Sequence, residues 1–276
     1  MSDTDTRAER SAPNAFGIRL DTALAAVIVL ALAVLALQRS EPEALPDFST
    51  IDTVDSRKSA FFEFLAPIVI EENERVRLRR ERLLELAPKV RDDERLPVRD
   101  RRWIARLAER HELEWPGESR TDTFERLVNR VDIVPVPLAL VQAATESGWG
   151  RSRFAREGNN LFGQWCYTPG CGLVPAQRTT GAAHEVAAFE SVRESVRRYI
   201  NNLNTHPSYQ PLRAIRAELR RQGRMPHALA LADGLIRYSE RRQAYVEEIK
   251  QVIRTNRLLI EDVVPNTQSH DGESEG

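Results

Sequence analysis

Glu146 is an acid at the end of a nearly apolar stretch that then breaks on glycines, and no other residue is so placed to do chemistry. Positions 134–165 read VPVPLALVQAATESGWGRSRFAREGNNLFGQW, with Glu146 followed by Ser147, Gly148, Trp149 and Gly150. A carboxylate in that setting is costly to bury unless a partner or a substrate uses it. A general acid working near neutral pH must keep its proton, so its pKa must lie above the ordinary carboxylate range. An apolar helix end beside Trp149 and Phe162 supplies that shift by desolvation. The competing structural reading pairs Glu146 with Arg151 or Arg153.

The elements that must hold this acid can be read from periodicity. Pro135 and Pro137 open the helix that ends at Glu146, since proline is tolerated in a first turn. Before it, apolar spacing predicts a helix over 59–86, with a mostly charged run at 71–82 and Pro67 at its start or at a kink, and another over 103–113. Thr121, Asp122 and Thr123 precede Phe124 and Leu127 as a helix start. The charged run reads as a solvated helix face. Between Gly163 and Phe189 no amphipathic helix is visible: glycines and prolines alternate with β-prone pieces at 172–174 and 185–189, which predict a small hairpin lobe. Helical spacing returns at 191–203, 211–221, 226–238 and 243–255. The expected fold is mainly α, a helical body with a small β-hairpin lobe, and a cleft between the two suits a long substrate.

The 276 residues allow one medium globular domain with extensions. With 40 Lys and Arg against 41 Asp and Glu, nothing in the overall charge calls for nucleic acid. The run ALAAVIVLALAVLAL at 23–37, preceded by Arg7, Arg10 and Arg19, predicts a transmembrane anchor at 20–38. It has no small-x-small exit for a signal peptidase, and the arginines ahead of it place 1–19 in the cytoplasm and the rest in the periplasm. Residues 39–57 read as a linker and 263–276 as a disordered tail. In an extracytoplasmic lobe the only two cysteines, Cys166 and Cys171, flank a Pro-Gly turn and suit a disulfide. Two thiols with the scattered histidines His184 and His206 are poor zinc spacing, so no metal is expected. No nucleotide-binding glycine loop is present, and no cofactor is expected.

Ala144–Gly150 (ATESGWG) followed by Gly158–Gly163 (GNNLFG) resembles the signature of the glucosaminidase domains of glycoside hydrolase family 73, peptidoglycan hydrolases with a lysozyme-like fold. Gly163-Gln164-Trp165-Cys166, the Cys171-Gly172-Leu173-Val174-Pro175 string and Asn202 to Tyr209 resemble the bacterial Bax-type proteins within that group. The resemblance spans about 134–256 and implies a catalytic domain at 119–262, preceded by a helical region at 58–118 that acts as a brace or as a regulatory surface.

By that resemblance Glu146 matches the family's catalytic glutamate, the general acid that protonates the leaving glycosidic oxygen. Tyr238 resembles the tyrosine of the family's Tyr-Ala-Thr-Asp type motif, although Ser239-Glu240-Arg241 replaces the usual following residues. Tyr209 resembles a tyrosine in the wall of the sugar groove. Glycosidases commonly enlist a second carboxylate, and Glu185, at the start of the expected strand, is the best positional candidate, ahead of Glu190 and Glu194. Assistance by the substrate's N-acetyl group would need none. Asn159 and Asn160 can bond sugar hydroxyls or cap the turn before Leu161. Trp149 and Trp165 can stack on sugar rings or pack in the core. The implied function is an inner-membrane enzyme acting on peptidoglycan glycan strands. A lytic transglycosylase and a catalytically silent wall-binding module are the alternatives.

Overall fold

Thr53 starts the longest helix. Its side chain accepts the Ser56 N–H at 3.1 Å, and α1 (Val54–Arg91) runs on for 38 residues. This computed structural model describes residues 44–175 and 184–264. The anchor expected at 20–38 and the tail beyond 264 lie outside the described residues. Among the described residues no helix is long and apolar enough to cross a membrane.

The expected linker is structured from Phe48 onward. A 3-10 turn, Phe48–Thr50, is capped by the Asp47 carboxylate and buries Phe48 edge-on against Phe61. The ring lies over Gly150, where a Cβ would sit 2.5 Å from it and φ is +76°, so only glycine fits. The first helix is longer than expected at both ends: it starts before Pro67 and takes in Pro88 as well. Pro67 is exposed, as is Glu63 one turn earlier, so the carbonyl that loses its helical donor there faces water.

α2 (Val98–Arg110) and α3 (Arg120–Arg130) follow, the latter capped by Ser119. α4 (Val136–Ser147) buries ten of its twelve residues and is the central helix, which is why its sequence is apolar on every side. After α5 (Arg153–Gly158) come three short strands: β1 (Trp165–Cys166), β2 (Gly172–Leu173) and β3 (Glu185–Ala187). They form an antiparallel sheet in the order β1-β3-β2, with Val186 facing both Trp165 and Leu173. The lobe is therefore a three-stranded sheet and not a hairpin. Two residues of β1 are too few to show a period of two in sequence.

α6 (Val192–Thr205), a 3-10 turn at Pro207–Tyr209 and α7 (Gln210–Arg221) follow the lobe. The helix expected over 226–238 is broken. Only α8 (Ala228–Ala232) and a 3-10 turn, Asp233–Leu235, form there. Gly234 meets α7 so closely that a Cβ would lie 2.2 Å from the Leu212 α-carbon. α9 (Gln243–Thr255) and α10 (Arg257–Val263) complete the described chain.

α1 packs against α3, α4, α6 and α10, so helices from both sides of residue 119 share one core. Part of its charged run is also buried. Asn73 exchanges two hydrogen bonds with the Val134 backbone, and Glu72, 3 % exposed, accepts two from Arg197 at 3.0 Å. Asp132, 2 % exposed, takes Arg220 at 2.9 and 3.1 Å, with Arg216 and Arg80 beside it. These clamps fix the 131–135 loop that launches α4.

Candidate active site

Glu146 lies on the last turn of α4, half-buried, one helical turn beyond Gln142. The turn after it is held by Ser147, whose hydroxyl donates to the Ala143 carbonyl at 2.6 Å and accepts the Gly150 N–H at 2.8 Å. Gly148 and Trp149 both take left-handed backbone there. The chain thus turns away and leaves the carboxylate at the helix end.

Neither arginine of the structural reading pairs with Glu146. Arg151 donates to the Gly148 carbonyl and Arg153 to the Val174 carbonyl. The partner is Tyr245 on α9, whose hydroxyl donates to Glu146 Oε1 at 2.8 Å. Behind it a buried chain continues: Tyr199 donates to Gln142 Oε1 at 2.6 Å, and Gln142 Nε2 donates to the Tyr245 oxygen at 3.0 Å. Every donor in the chain points toward the carboxylate. The other oxygen, Oε2, faces Gly163, where an added Cβ would be 3.6 Å away.

Burial raises the Glu146 pKa above its ordinary 4.5, and the Glu248 charge adds to this; the Tyr245 bond and the Arg241 charge pull the other way without cancelling it. A carboxyl whose pKa is raised by burial, bonded at Oε1 and with Oε2 beside Gly163, has the properties a general acid needs.

Four tyrosines surround it. Tyr238 stacks parallel on Tyr245 at 5.3 Å and donates its hydroxyl to the Phe162 carbonyl at 2.9 Å. Tyr209 lies 5.8 Å from the Tyr238 ring, and its pKa is pushed up to about 12 by burial and by the Glu146 charge. Tyr199 is raised by burial and then by Tyr209 and the Glu146 charge, and Tyr245 by burial and then by the Glu146 charge. Of the residues picked out in the sequence, Glu146, Tyr238 and Tyr209 are therefore brought together. Tyr245, Gln142 and Tyr199 were not among them. A glutamine one turn before the acid in an otherwise apolar helix was a usable signal, whereas Tyr245 and Tyr199 sit at ordinary apolar spacings.

The remaining candidates serve the framework. Asn160, 2 % exposed, donates to the Gln164 and Ala187 carbonyls and accepts from the Phe162 and Gln164 N–H groups. Its amide is fully used in clasping the turn, which leaves none of it for a sugar hydroxyl. Trp149 packs on Phe61 and Phe62, with centroids 5.8 and 5.2 Å away, and so fastens the turn to α1. Glu185 is buried in β3 and accepts the N–H groups of Gly170, within the loop that the Cys166–Cys171 disulfide closes, and of Gly172, just beyond it, at 3.1 and 2.9 Å. Glu194 reaches back to the Glu190 N–H at the start of α6. A cleft of about 410 Å³ runs between this lobe and α6, lined by Gln164, Trp165, Arg198, Asn201 and Asn202 among others. Glu146 and its tyrosines do not line it; the link between the two is Asn202, which lines the cleft and bonds Tyr209.

Residues 121–258 match the sequence pattern of the family described as mannosyl-glycoprotein endo-beta-N-acetylglucosaminidase. The chain is also 33 % identical over 221 residues to Protein bax of Escherichia coli (strain K12), covering 80 % of this chain and 77 % of that protein. No solved structure matches it. With half the chain inside the family pattern and the acid framed as described, the protein belongs to the glucosaminidase-domain family, among its Bax-type members, and is an enzyme of the glycosidase type.

Proposed function

We propose that the protein cleaves β-1,4 bonds at N-acetylglucosamine in peptidoglycan glycan strands, with Glu146 as general acid in a lysozyme-like groove. The observation that carries this is the setting of the Glu146 carboxyl: desolvated, bonded by Tyr245 at Oε1, and with Oε2 beside Gly163. A proton on Oε2 passes to the glycosidic oxygen as the bond breaks, and the carboxylate that forms keeps the Tyr245 hydrogen bond. Tyr238 and Tyr209 wall the site. The apolar run at 20–38 anchors the enzyme in the inner membrane with its catalytic residues in the periplasm.

A second reading is a lytic transglycosylase, which needs one acid only. It is favoured by Glu185, whose two oxygens both accept loop N–H groups instead of standing ready as base or nucleophile. Mass spectrometry of purified peptidoglycan digested by the fragment from 39 onward, with Glu146→Gln in parallel, tests both. Reducing N-acetylglucosamine ends that vanish in the variant support the glucosaminidase; anhydromuramic ends identify the transglycosylase. Cleavage that persists in Glu146→Gln removes the mechanism.

A further inference from the structure

Trp165 is 54 % exposed and lies flat on the His184 imidazole, with centroids 3.9 Å apart and planes at 25°. A single exposed apolar ring needs no explanation unless it belongs to a built surface, and this one does. β1 holds Trp165 opposite Val186 of β3. The disulfide at Cys166 and the Glu185 bonds to Gly170 and Gly172 brace the same strands. The ring is thus fixed on both sides and still left in water.

Its position relates it to the acid. Trp165 follows Gly163, the residue facing Glu146 Oε2, by two positions. Two residues of chain span at most about 7 Å. Trp165 lines the cleft together with Arg198, Asn201 and Asn202 of α6. A cleft that combines an exposed aromatic ring with amide and guanidinium groups suits a pyranose, whose C–H face packs on a ring while its hydroxyl and acetamido groups bond polar side chains. Trp149 cannot do this, because its ring packs on Phe61 and Phe62.

We propose that Trp165, backed by His184, is a sugar-stacking platform that binds the N-acetylated glycan residue next to the bond presented to Glu146. The platform rests on the reading that glycan strands are the substrate. It makes the β lobe part of substrate recognition and gives the disulfide a role in holding a binding residue.

The test uses Glu146→Gln as a host and titrates it with the N-acetylglucosamine hexamer by calorimetry. Adding Trp165→Ala is expected to weaken binding about tenfold, the order of one good ring contact. Trp165→Phe should restore part of it, with unchanged far-UV circular dichroism and melting temperature in both. Equal affinity with and without Trp165, or no hexamer binding by the host at all, overturns the platform. Trp165-dependent binding by a protein whose wild type cleaves no peptidoglycan would sink the hydrolase reading and leave the platform standing. Cleavage lost in Glu146→Gln with Trp165-independent binding would do the reverse.

Discussion

The Tyr245 hydroxyl donates to Glu146 Oε1, so a proton carried by Glu146 resides on Oε2, the oxygen facing Gly163. Burial and this bond act on the acid in opposite senses, and one substitution separates them. In Tyr245→Phe the burial stays and the bond goes, so the Glu146 pKa rises further. The acid then keeps its proton to higher pH, and the alkaline limb of the kcat/KM profile moves upward. Because the bond also stabilises the carboxylate left after proton transfer, the maximal rate should fall roughly tenfold to a hundredfold. A pH–rate profile reads both effects, and a limb that moves to lower pH would contradict the arrangement.

Replacing the acid should make the protein more stable. The Glu146 pKa is raised in the folded state, so native and unfolded chains are equally protonated below the ordinary value of 4.5, and stability is lost as pH rises through the folded pKa. Glu146→Gln has no such loss. Its melting temperature should match the wild type in acid and exceed it at neutral pH. A variant less stable than wild type throughout would show that the carboxylate is structural.

Asp132 has the opposite sign. Burial alone would raise its pKa, but Arg216, Arg220 and Arg80 hold it below the ordinary 3.8. Its stabilisation is present above that value and is lost as pH falls through the folded pKa. Asp132→Asn leaves buried guanidinium groups uncompensated and should cost roughly 3–5 kcal/mol. Urea unfolding at neutral pH measures this, and a cost under about 1 kcal/mol would place the clamp among surface ion pairs.

The disulfide closes a loop with a sequence separation of only five residues, for which chain entropy gives about 2 kcal/mol. That stabilisation acts on the lobe, while the helical core packs without it. Cys166→Ser with Cys171→Ser should keep the helical circular dichroism and lose most of the cleavage of peptidoglycan. Full activity in the double variant would separate the lobe from the chemistry.

Of the helices around Glu146, 243–255 was legible from its apolar period and coincides with α9, and α4 from its opening prolines and its apolar run. The lobe was harder to read. Its strands are two or three residues long, and β1 gains its place by pairing with β3 some twenty residues later. Local pattern cannot show that. Glu146 stood out because a charge in an apolar helix conflicts with its surroundings. Tyr245 agreed with its surroundings, and its role comes only from the meeting of α4 and α9. The two tryptophans, alike in sequence, part for the same reason: Trp149 meets two phenylalanines of α1, and Trp165 meets His184 and the cleft.

The family pattern begins at 121, yet the turn beyond Glu146 is fastened through Trp149 and Gly150 to Phe48, Phe61 and Phe62, all well before it. Asn73 of the same helix holds the loop that launches α4. The segment that matches the family pattern therefore shares its core with residues that precede it. Cut at 121, it would expose the faces of α3, α4 and α6 that α1 now covers, and the acid would lose its footing together with its solubility.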